Sequence, residues 1–359
     1  MAGASLAAAL APQMRVLLLE AEDHPGYHAT GRSAAFWSET YGGPLVQPLT
    51  TASGPFLAHP PADFAEHSFL RTRGLLMIGR SADAGLAADF MRDFSGSGVV
   101  LDPIADADVW ARLPGARPDW RLGIWEASNA DIDVGALHQA FLRRARQAGV
   151  DLAVRRAVTR LTHATDGWTL HAGTDQLRAR RVVNAAGAWA SDIAARAGAA
   201  PIAIRPLRRT MVQARLGCTI DAHLPLVIDL AGRFYFKPEG TQRVWLSPHD
   251  ETPTDPCDAA PDREDVAHAI ARFEEVVDWP IAAVERSWAG LRSFTPDRAP
   301  VFGLDPNCPD FYWCAGQGGA GIQTSPAISA LLAAEILGVP VAAPYAGVDT
   351  AQYRPGRFF

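Results

Sequence analysis

Three stretches of this sequence combine residue types and spacing that serve a nucleotide or a flat cofactor. Gly316-Gln-Gly-Gly-Ala-Gly-Ile-Gln-Thr-Ser325 is a dense glycine turn running into a helical segment. Its backbone can approach a ligand closely, and the amides at the start of the helix favour negative charge or a developing anion. His24-Pro-Gly-Tyr-His-Ala-Thr-Gly-Arg-Ser-Ala-Ala35 packs two glycines, small hydroxyl residues and one arginine into a segment too polar for a core and too patterned for a linker. Such a loop can press its main chain against a cofactor. Gly3, followed by Glu20 at the end of an apolar run, fits the last glycine and the ribose-binding acid of a dinucleotide fingerprint.

These residues need elements to position them. Ala2 to Leu10 reads as a small-residue helix, and Arg15-Val-Leu-Leu-Leu-Glu20 as a buried parallel strand ending in an acid, together half of a βαβ unit. The strand that should open that unit, with its turn and first two glycines, would precede Met1. Residues 43–128 are rich in proline and glycine with short strand candidates such as Gly74 to Ile78. Residues 131–147 read as a helix capped by Asp131 or Asp133, with Leu137, Phe141 and Leu142 on one face. A strand is expected over 178–186, where Asn184-Ala-Ala-Gly187 leaves the backbone free to turn past a ligand. Residues 208–248 read as an antiparallel stretch. The C-terminal third supplies a strand at 311–315, the glycine turn, and a helix at 324–337.

With 359 residues, 48% of them hydrophobic, the chain can bury a sizeable core in two packed lobes or one large α/β unit. A net charge of −6 provides no basic excess for neutralising phosphates, so nucleic acid is not an expected partner. Cys218, Cys257, Cys308 and Cys314 show no paired or metal-ligand spacing, and no histidine cluster does either. Reduced thiols, a cytoplasmic location and no metal are expected. No apolar run reaches the roughly 18 residues that cross a bilayer, which leaves only peripheral membrane contact open. The apolar opening has no basic region before it and is not read as a signal peptide.

The ordered set Gly3 to Glu20, Thr30-Gly-Arg-Ser-Ala34, Asp131-Ile-Asp133, Asn184-Ala-Ala-Gly187, Trp288 to Phe294, Thr295 to Pro300 and Gly316 to Ser325 resembles the D-amino-acid oxidase (DAO) superfamily of FAD-dependent oxidoreductases. The strings Gly26-Tyr-His-Ala-Thr-Gly-Arg-Ser-Ala-Ala35, Ala130-Asp-Ile-Asp133 and Gly321-Ile-Gln-Thr-Ser325 are most similar to bacterial D-arginine dehydrogenases. The resemblance covers nearly the whole chain. It implies an α/β (α+β overall) fold, with a Rossmann-like FAD-binding domain over 1–43, 129–206 and 287–359 and an inserted antiparallel-sheet substrate domain over 44–128 and 207–286. FAD would be held by Gly3, Glu20, Thr30, Gly31, Arg32, Ser33, Ala34, Gly187, Trp189, Gly318, Gly319, Gly321, Ile322 and Thr324. His28 sits where some relatives attach flavin covalently, but the D-arginine enzymes imply a noncovalent FAD.

By the same resemblance Arg292 would clamp a substrate carboxylate in a fork that arginine forms and lysine does not. Tyr235 would add a hydroxyl. Of the pair Arg208 and Arg209, Arg208 is preferred as a further contact, and Tyr41 and Gln323 would line the pocket. Phe36 stands where the D-arginine enzymes have a histidine, and Leu75 where they have the acid that pairs with a cationic side chain. A buried guanidinium would then lack its partner, so an apolar or small substrate is expected. The implied reaction, in amino-acid catabolism, is oxidative deamination of a D-amino acid or related amine. Hydride passes from the α-carbon to flavin N5, and the imine is hydrolysed to a 2-oxo acid. Such a step needs no dedicated base, and none is assigned. A quinone or other acceptor would reoxidise the flavin; a glycine- or sarcosine-oxidase-like reaction with oxygen is the alternative. A reading from another class is a truncated, non-catalytic remnant with weak or no flavin binding, set against a start codon placed inside a longer chain.

Overall fold

The computed structural model describes residues 1–359. Alanine and leucine make Ala2–Leu10 a strong helix former, and Ala4, Leu6, Ala7, Ala8 and Leu10 are buried in it. Gly3 lets the helix lie directly on the strand behind it, because a Cβ there would stand 3.1 Å from Leu18 Cδ1. That strand, Leu17–Leu19, runs parallel to Asp151–Ala153, and the Glu20 amide continues the ladder to the Ala153 carbonyl at 2.9 Å. Val182–Asn184 lies parallel to Phe311–Ala315, which pairs antiparallel with Val301–Leu304. Helix Ser325–Leu337 is apolar around most of its circumference, as a helix covered on all sides must be. Its Ile328, Leu331 and Leu332 share a core with Leu6, Leu10 and Tyr312.

The second structural half is a ten-stranded sheet. From one edge its order is Gln317–Gly318, Ile281–Phe294, Arg205–Leu216, Arg243–Ser247, Tyr235–Pro238, Leu226–Asp229, Leu75–Arg80, Trp120–Glu126 and Asp102–Ile104, with Thr252–Pro253 paired to one end of Arg205–Leu216. Helix Arg263–Val276 covers one face through Ala269, Phe273 and Val276, against Val212, Phe236 and Leu246. The other face carries Leu75, Met77, Met211, Ile228 and Tyr235. The architecture is mixed α/β throughout.

Three local readings differ from the sequence-based expectation, and a fourth is narrowed from two alternatives to one. The sheet is antiparallel except that Leu226–Asp229 lies parallel to Leu75–Ile78, a pairing between residues some 150 positions apart in the chain that no local pattern announces. The strand expected over 178–186 is two short ones in different sheets. Asp175–Ala179 closes an antiparallel hairpin with Gly167–Ala172, and the chain turns at Arg180 and Arg181 before Val182–Asn184. Helix Gln47–Ala58, expected to belong with the substrate domain that starts at 44, packs instead through Leu49 and Leu57 into the cores around Ala2–Leu10. The cap of helix Val134–Gln147 is Asp133, whose carboxylate accepts the Ala136 amide at 2.8 Å. Asp131 is in a strand and binds Arg73 and Lys237 instead.

No helix is long and apolar enough to cross a membrane, and no group of three or more His, Cys, Asp or Glu side chains could hold a metal ion. The four cysteines are unpaired.

Candidate active site

A cavity of 610 Å³ runs between the two halves, within the roughly 300–1,000 Å³ of cofactor pockets. At one end it is lined by Met1, Ala2, Glu20 and Glu22; along its length by Thr30, Ser33, Ala34, Gly187 and Trp189; and at the other end by Arg209, Met211, Tyr235, Arg292 and the glycine turn from Gln317 to Ile322. Of the residues expected to hold cofactor, Glu20, Thr30, Arg32, Ser33, Ala34, Gly187, Trp189, Gly318, Gly319, Gly321 and Ile322 all line it.

The residues present fit a dinucleotide such as FAD on several counts. Helix Ala2–Leu10 begins at the cavity wall, and the first-turn amides of any helix have no intrahelical acceptor, so they suit an anion. Glu20 stands at the strand end, where a carboxylate can take ribose hydroxyls. Gly187 has φ +55°, and a Cβ there would meet only open space, so the main chain turns past the cavity unobstructed. His28 contributes a buried ring nitrogen, Nδ1, with no partner in the protein, while its Nε2 is bonded to Glu22 at 2.9 Å and its ring leans on Trp189. The amino group of Met1 donates to Thr30 Oγ1 at 3.0 Å, and burial lowers its pKa to about 6.

Other expected cofactor residues act at one remove. Gly3 packs helix on strand. Gly31 donates its amide to the Gly26 carbonyl at 2.7 Å, and a Cβ on it would stand 2.8 Å from that oxygen. Arg32 lines the cavity, but its guanidinium is spent on Asp258 and the carbonyls of Tyr27, Ala259 and Ala289, so it ties the loop to the strands beyond. Thr324 is fully buried and donates to the Ala320 carbonyl. The amides following it are not free for an anion: Ser325 bonds Ile322, Pro326 has none, and Ala327 bonds Ser53 Oγ at 3.1 Å. The helix start that faces the cavity is therefore that of Ala2–Leu10, and the Gly316–Gly321 turn contributes close approach alone. Gly318, at φ +55°, lies so near the Phe294 ring that any Cβ would overlap it.

The far end gathers the expected substrate residues around Arg292. Its Nη1 donates to Tyr41 Oη and its Nη2 to Tyr235 Oη at 3.2 Å. No carboxylate lies within ion-pair distance of it. Tyr235 donates its own O–H to Met211 Sδ at 3.0 Å, whereas the Tyr41 O–H is free to donate to an added acceptor. Phe36 packs edge-on against both tyrosines, and Leu75 is fully buried in the same apolar cluster with Ala34 and Met77; of the expected pocket residues Tyr41, Phe36 and Leu75 stand behind the cavity lining and not in it. Gln323 does not line the cavity; its amide is fully used on Ser38, Tyr41 and Thr50.

Arg208 is the site residue that the structure moves elsewhere. Its guanidinium binds Asp265 at 2.8 Å and it does not line the cavity. Arg209 does, at 3% exposure, bonded to the Asp250 carbonyl at 2.7 Å and Glu251 at 3.1 Å, with Nη1 buried and unpartnered. Burial, then the neighbouring Arg292 charge, lowers its pKa below the ordinary arginine value. The sequence reading also missed Met211, in the middle of strand Arg205–Leu216, and Glu22 and Arg156 to Thr159, beside strand ends; none of these carries a distinctive motif. His249 was missed as well. Its ring lies edge-on to Tyr235, Nδ1–H donates to the Gly232 carbonyl at 2.5 Å, and burial followed by the charges of Arg209 and Arg292 lowers its pKa to about 2.

His138 gives the site an expected pH dependence. It lies beneath Gly26, where a Cβ would stand 2.8 Å from its Cε1, and burial with the Met1 charge lowers it to about 4. A histidine held below its ordinary 6.5 is neutral in the fold. Its contribution is complete above pH ~6.5 and is lost as pH falls towards 4, by at most about 2 kcal/mol after allowing for solvent screening. Melting temperature should decline gently from pH 8 to 6.5, where the Met1 amine is charged in the unfolded chain before it is in the fold, and more steeply below 6.5 as His138 adds its share. A His138→Gln variant that keeps the same slope would assign the loss to other groups.

The profile of the DAO family, described as FAD dependent oxidoreductase, matches residues 1–335. FAD-dependent oxidoreductase domain-containing protein 1 of Xenopus laevis is 28% identical over 199 residues, which are 49% of this chain and 38% of that protein, so the match spans well under half of the relative's length. Among solved structures, glycine oxidase from Geobacillus kaustophilus superposes with a TM-score of 0.84 at 21% identity, covering 98% of this chain and 95% of that one. L-Proline dehydrogenase from P.horikoshii gives 0.84 at 20%, covering 99% and 95%. At such identities the likeness is one of fold.

Proposed function

We propose, from the premise that the chain belongs to the DAO family of FAD-dependent oxidoreductases, that its reaction is the oxidative deamination of a D-amino acid with an apolar side chain. The observation that carries this reading is the state of Arg292. It is a cavity-lining guanidinium that meets two tyrosine hydroxyls and no carboxylate, beside an apolar wall. A desolvated cation without an anion is costly unless a ligand supplies one, and a carboxylate matches the arginine fork. In this division of labour the helix-flanked strands hold FAD and the large sheet presents the substrate.

FAD, bound noncovalently, supplies the acceptor for the two electrons removed from the carbon–nitrogen bond. Everything else falls to the protein. Arg292 and Tyr41 fix the carboxylate, Arg209 adds positive potential beside it, and Ala34 and Met211, the apolar lining at this end, backed by the buried Leu75 and Met77, meet the side chain and exclude water. With the carboxylate held, the α-carbon is aimed at one place in the cavity, and orientation is the main contribution. The cavity lining around Arg209, Met211, Tyr235 and Arg292 holds no carboxylate to partner a cationic side chain, and Leu75 behind it is apolar, which favours leucine-, methionine- or phenylalanine-like side chains over arginine. The D configuration rests on the strings shared with the D-arginine enzymes. A quinone-type acceptor follows from the same resemblance, with a glycine- or sarcosine-oxidase-like use of oxygen as the alternative.

The test is anaerobic mixing of the FAD-loaded protein with single compounds while flavin absorbance is followed. D-Leucine, D-methionine and D-phenylalanine should bleach it, faster than D-arginine and far faster than their L-enantiomers. Bleaching by glycine or sarcosine alone would shift the assignment to the oxidase alternative, and equal rates with L-enantiomers would sink the stereochemical reading. Readmitting air, then a quinone, reports the acceptor directly.

A further inference from the structure

We propose that Glu126 is a positioning residue for the carboxylate anchor, acting through the segment Ser38 to Tyr41; this rests on the reading of Arg292 above.

Glu126 ends strand Trp120–Glu126 of the large sheet, opposite Leu75, at 1% exposure. Its carboxylate has no cationic partner. It accepts instead from the Glu39 amide at 2.8 Å, from Thr40 Oγ1 at 2.5 Å and from Ser38 Oγ at 3.1 Å. Burying a carboxylate costs several kcal/mol, roughly, unless its lone pairs are met, and an apolar residue beside Leu75 would fill the place more cheaply. What the carboxylate does that an apolar residue cannot is hold three consecutive residues of one irregular segment. Gln323 grips the same segment from the opposite side. Its amide accepts from Ser38 N at 3.2 Å and donates to the carbonyls of Ser38 at 3.1 Å and Tyr41 at 3.2 Å. Gln323 belongs to the turn that also places Gly319, and a Cβ on Gly319 would stand 3.0 Å from Tyr41 Oη. Glu39 turns its own side chain outward to Thr51 and Ser128, which pins the segment a third time.

The segment ends at Tyr41, whose hydroxyl is held by no hydrogen bond except the one from Arg292 and whose ring is braced by Phe36. Its main chain is thus fixed by Glu126 from the large sheet and Gln323 from the glycine turn. Its hydroxyl fixes one arm of the guanidinium. The two clamps make the distance from the cofactor-side turn to the carboxylate anchor a property of the fold rather than of flexible side chains.

The probe is benzoate, a monocarboxylate, titrated into the FAD-loaded protein and read by perturbation of flavin absorbance. Glu126→Ala and the milder Thr40→Val should each weaken benzoate roughly tenfold, about 1.4 kcal/mol. Glu126→Gln, which can still accept the Glu39 amide and pair with a hydroxyl, should stay near the parent. Affinity for FAD should be unchanged in all three, which a general structural defect would not allow. On a Tyr41→Phe background Glu126→Ala should add little further loss, because the two act on one path. If Glu126→Ala fails to fold, Thr40→Val, alone and on the Tyr41→Phe background, carries the test. Parent-like benzoate binding in both Glu126→Ala and Thr40→Val, or losses additive with Tyr41→Phe, overturns the proposal while Arg292→Met still abolishes binding. Parent-like binding in Arg292→Met overturns the anchor itself, and this proposal with it.

Discussion

Replacing Arg292 by methionine should lower kcat/KM for the best carboxylate-bearing substrate by roughly 10²- to 10⁴-fold, with the protein no less stable than the parent. The magnitude follows from two charge-assisted hydrogen bonds to a carboxylate, each worth roughly 1.5–3 kcal/mol, at 1.4 kcal/mol per tenfold. Methionine keeps most of the unbranched stem, so the wall it forms with Gly290 and Gly319 is preserved. What disappears is the charge and the fork. Stability is spared because the free protein gives Arg292 no anion, so removing the charge removes a desolvation cost. Arg292→Lys should fall between, since a point charge attracts a carboxylate without forking to it. The measurement is steady-state kinetics beside a melting curve. An amine lacking the carboxylate should lose little, and an equal loss for amine and amino acid would mean that Arg292 supports the fold and does not read the substrate.

The parts of the site legible in the sequence are those whose chemistry lies in the main chain. Glycine leaves a signature wherever a turn must pass close to something, so Gly187 and the turn from Gly318 to Gly321 could be placed on a cavity wall from spacing alone. Glu20 was legible because an acid ends an apolar strand at the fingerprint's spacing from Gly3. Side chains that could point either way were less so. Arg32 sits in a string that resembles a binding loop, yet its guanidinium is consumed by Asp258 and three carbonyls supplied by residues more than 200 positions away or by its own loop. The helix start after Thr324 looked like an anion site, and it is closed by a serine, Ser53, from a helix that the sequence gives no reason to place there. Gln323 matched a pocket position and turned out to hold main chain. Each of these depends on long-range partners, which periodicity and motif do not encode. The parallel pairing of Leu226–Asp229 with Leu75–Ile78 was hidden for the same reason.

The adjacent arginines on strand Arg205–Leu216 should respond in opposite ways. Arg209→Met should cost roughly 10- to 150-fold in kcat/KM for an amino acid, the value of one charge-assisted hydrogen bond, while Arg208→Met should leave kcat/KM within about twofold and cost about 1 kcal/mol of stability through its ion pair with Asp265. The reason is strand geometry. Leu207 stands opposite Arg292 and Arg209 opposite Gly290, so with a two-residue period Arg209 and Arg292 share a face. Met211 continues that face, and all three line the cavity. Arg208, opposite Leu291, points the other way to Asp265 and Asp250. Each arginine has a buried donor without a partner, Nη1 of Arg209 and Nε of Arg208, but only Arg209 lines the cavity, where an entering carboxylate would both satisfy that donor and relieve the repulsion with Arg292. A slip of one residue in this pairing would exchange the two arginines between faces. Kinetics on the two variants therefore reads the register of the central strand pair: loss in Arg209→Met alone supports the pairing described, and loss in Arg208→Met alone would place the whole strand one residue out.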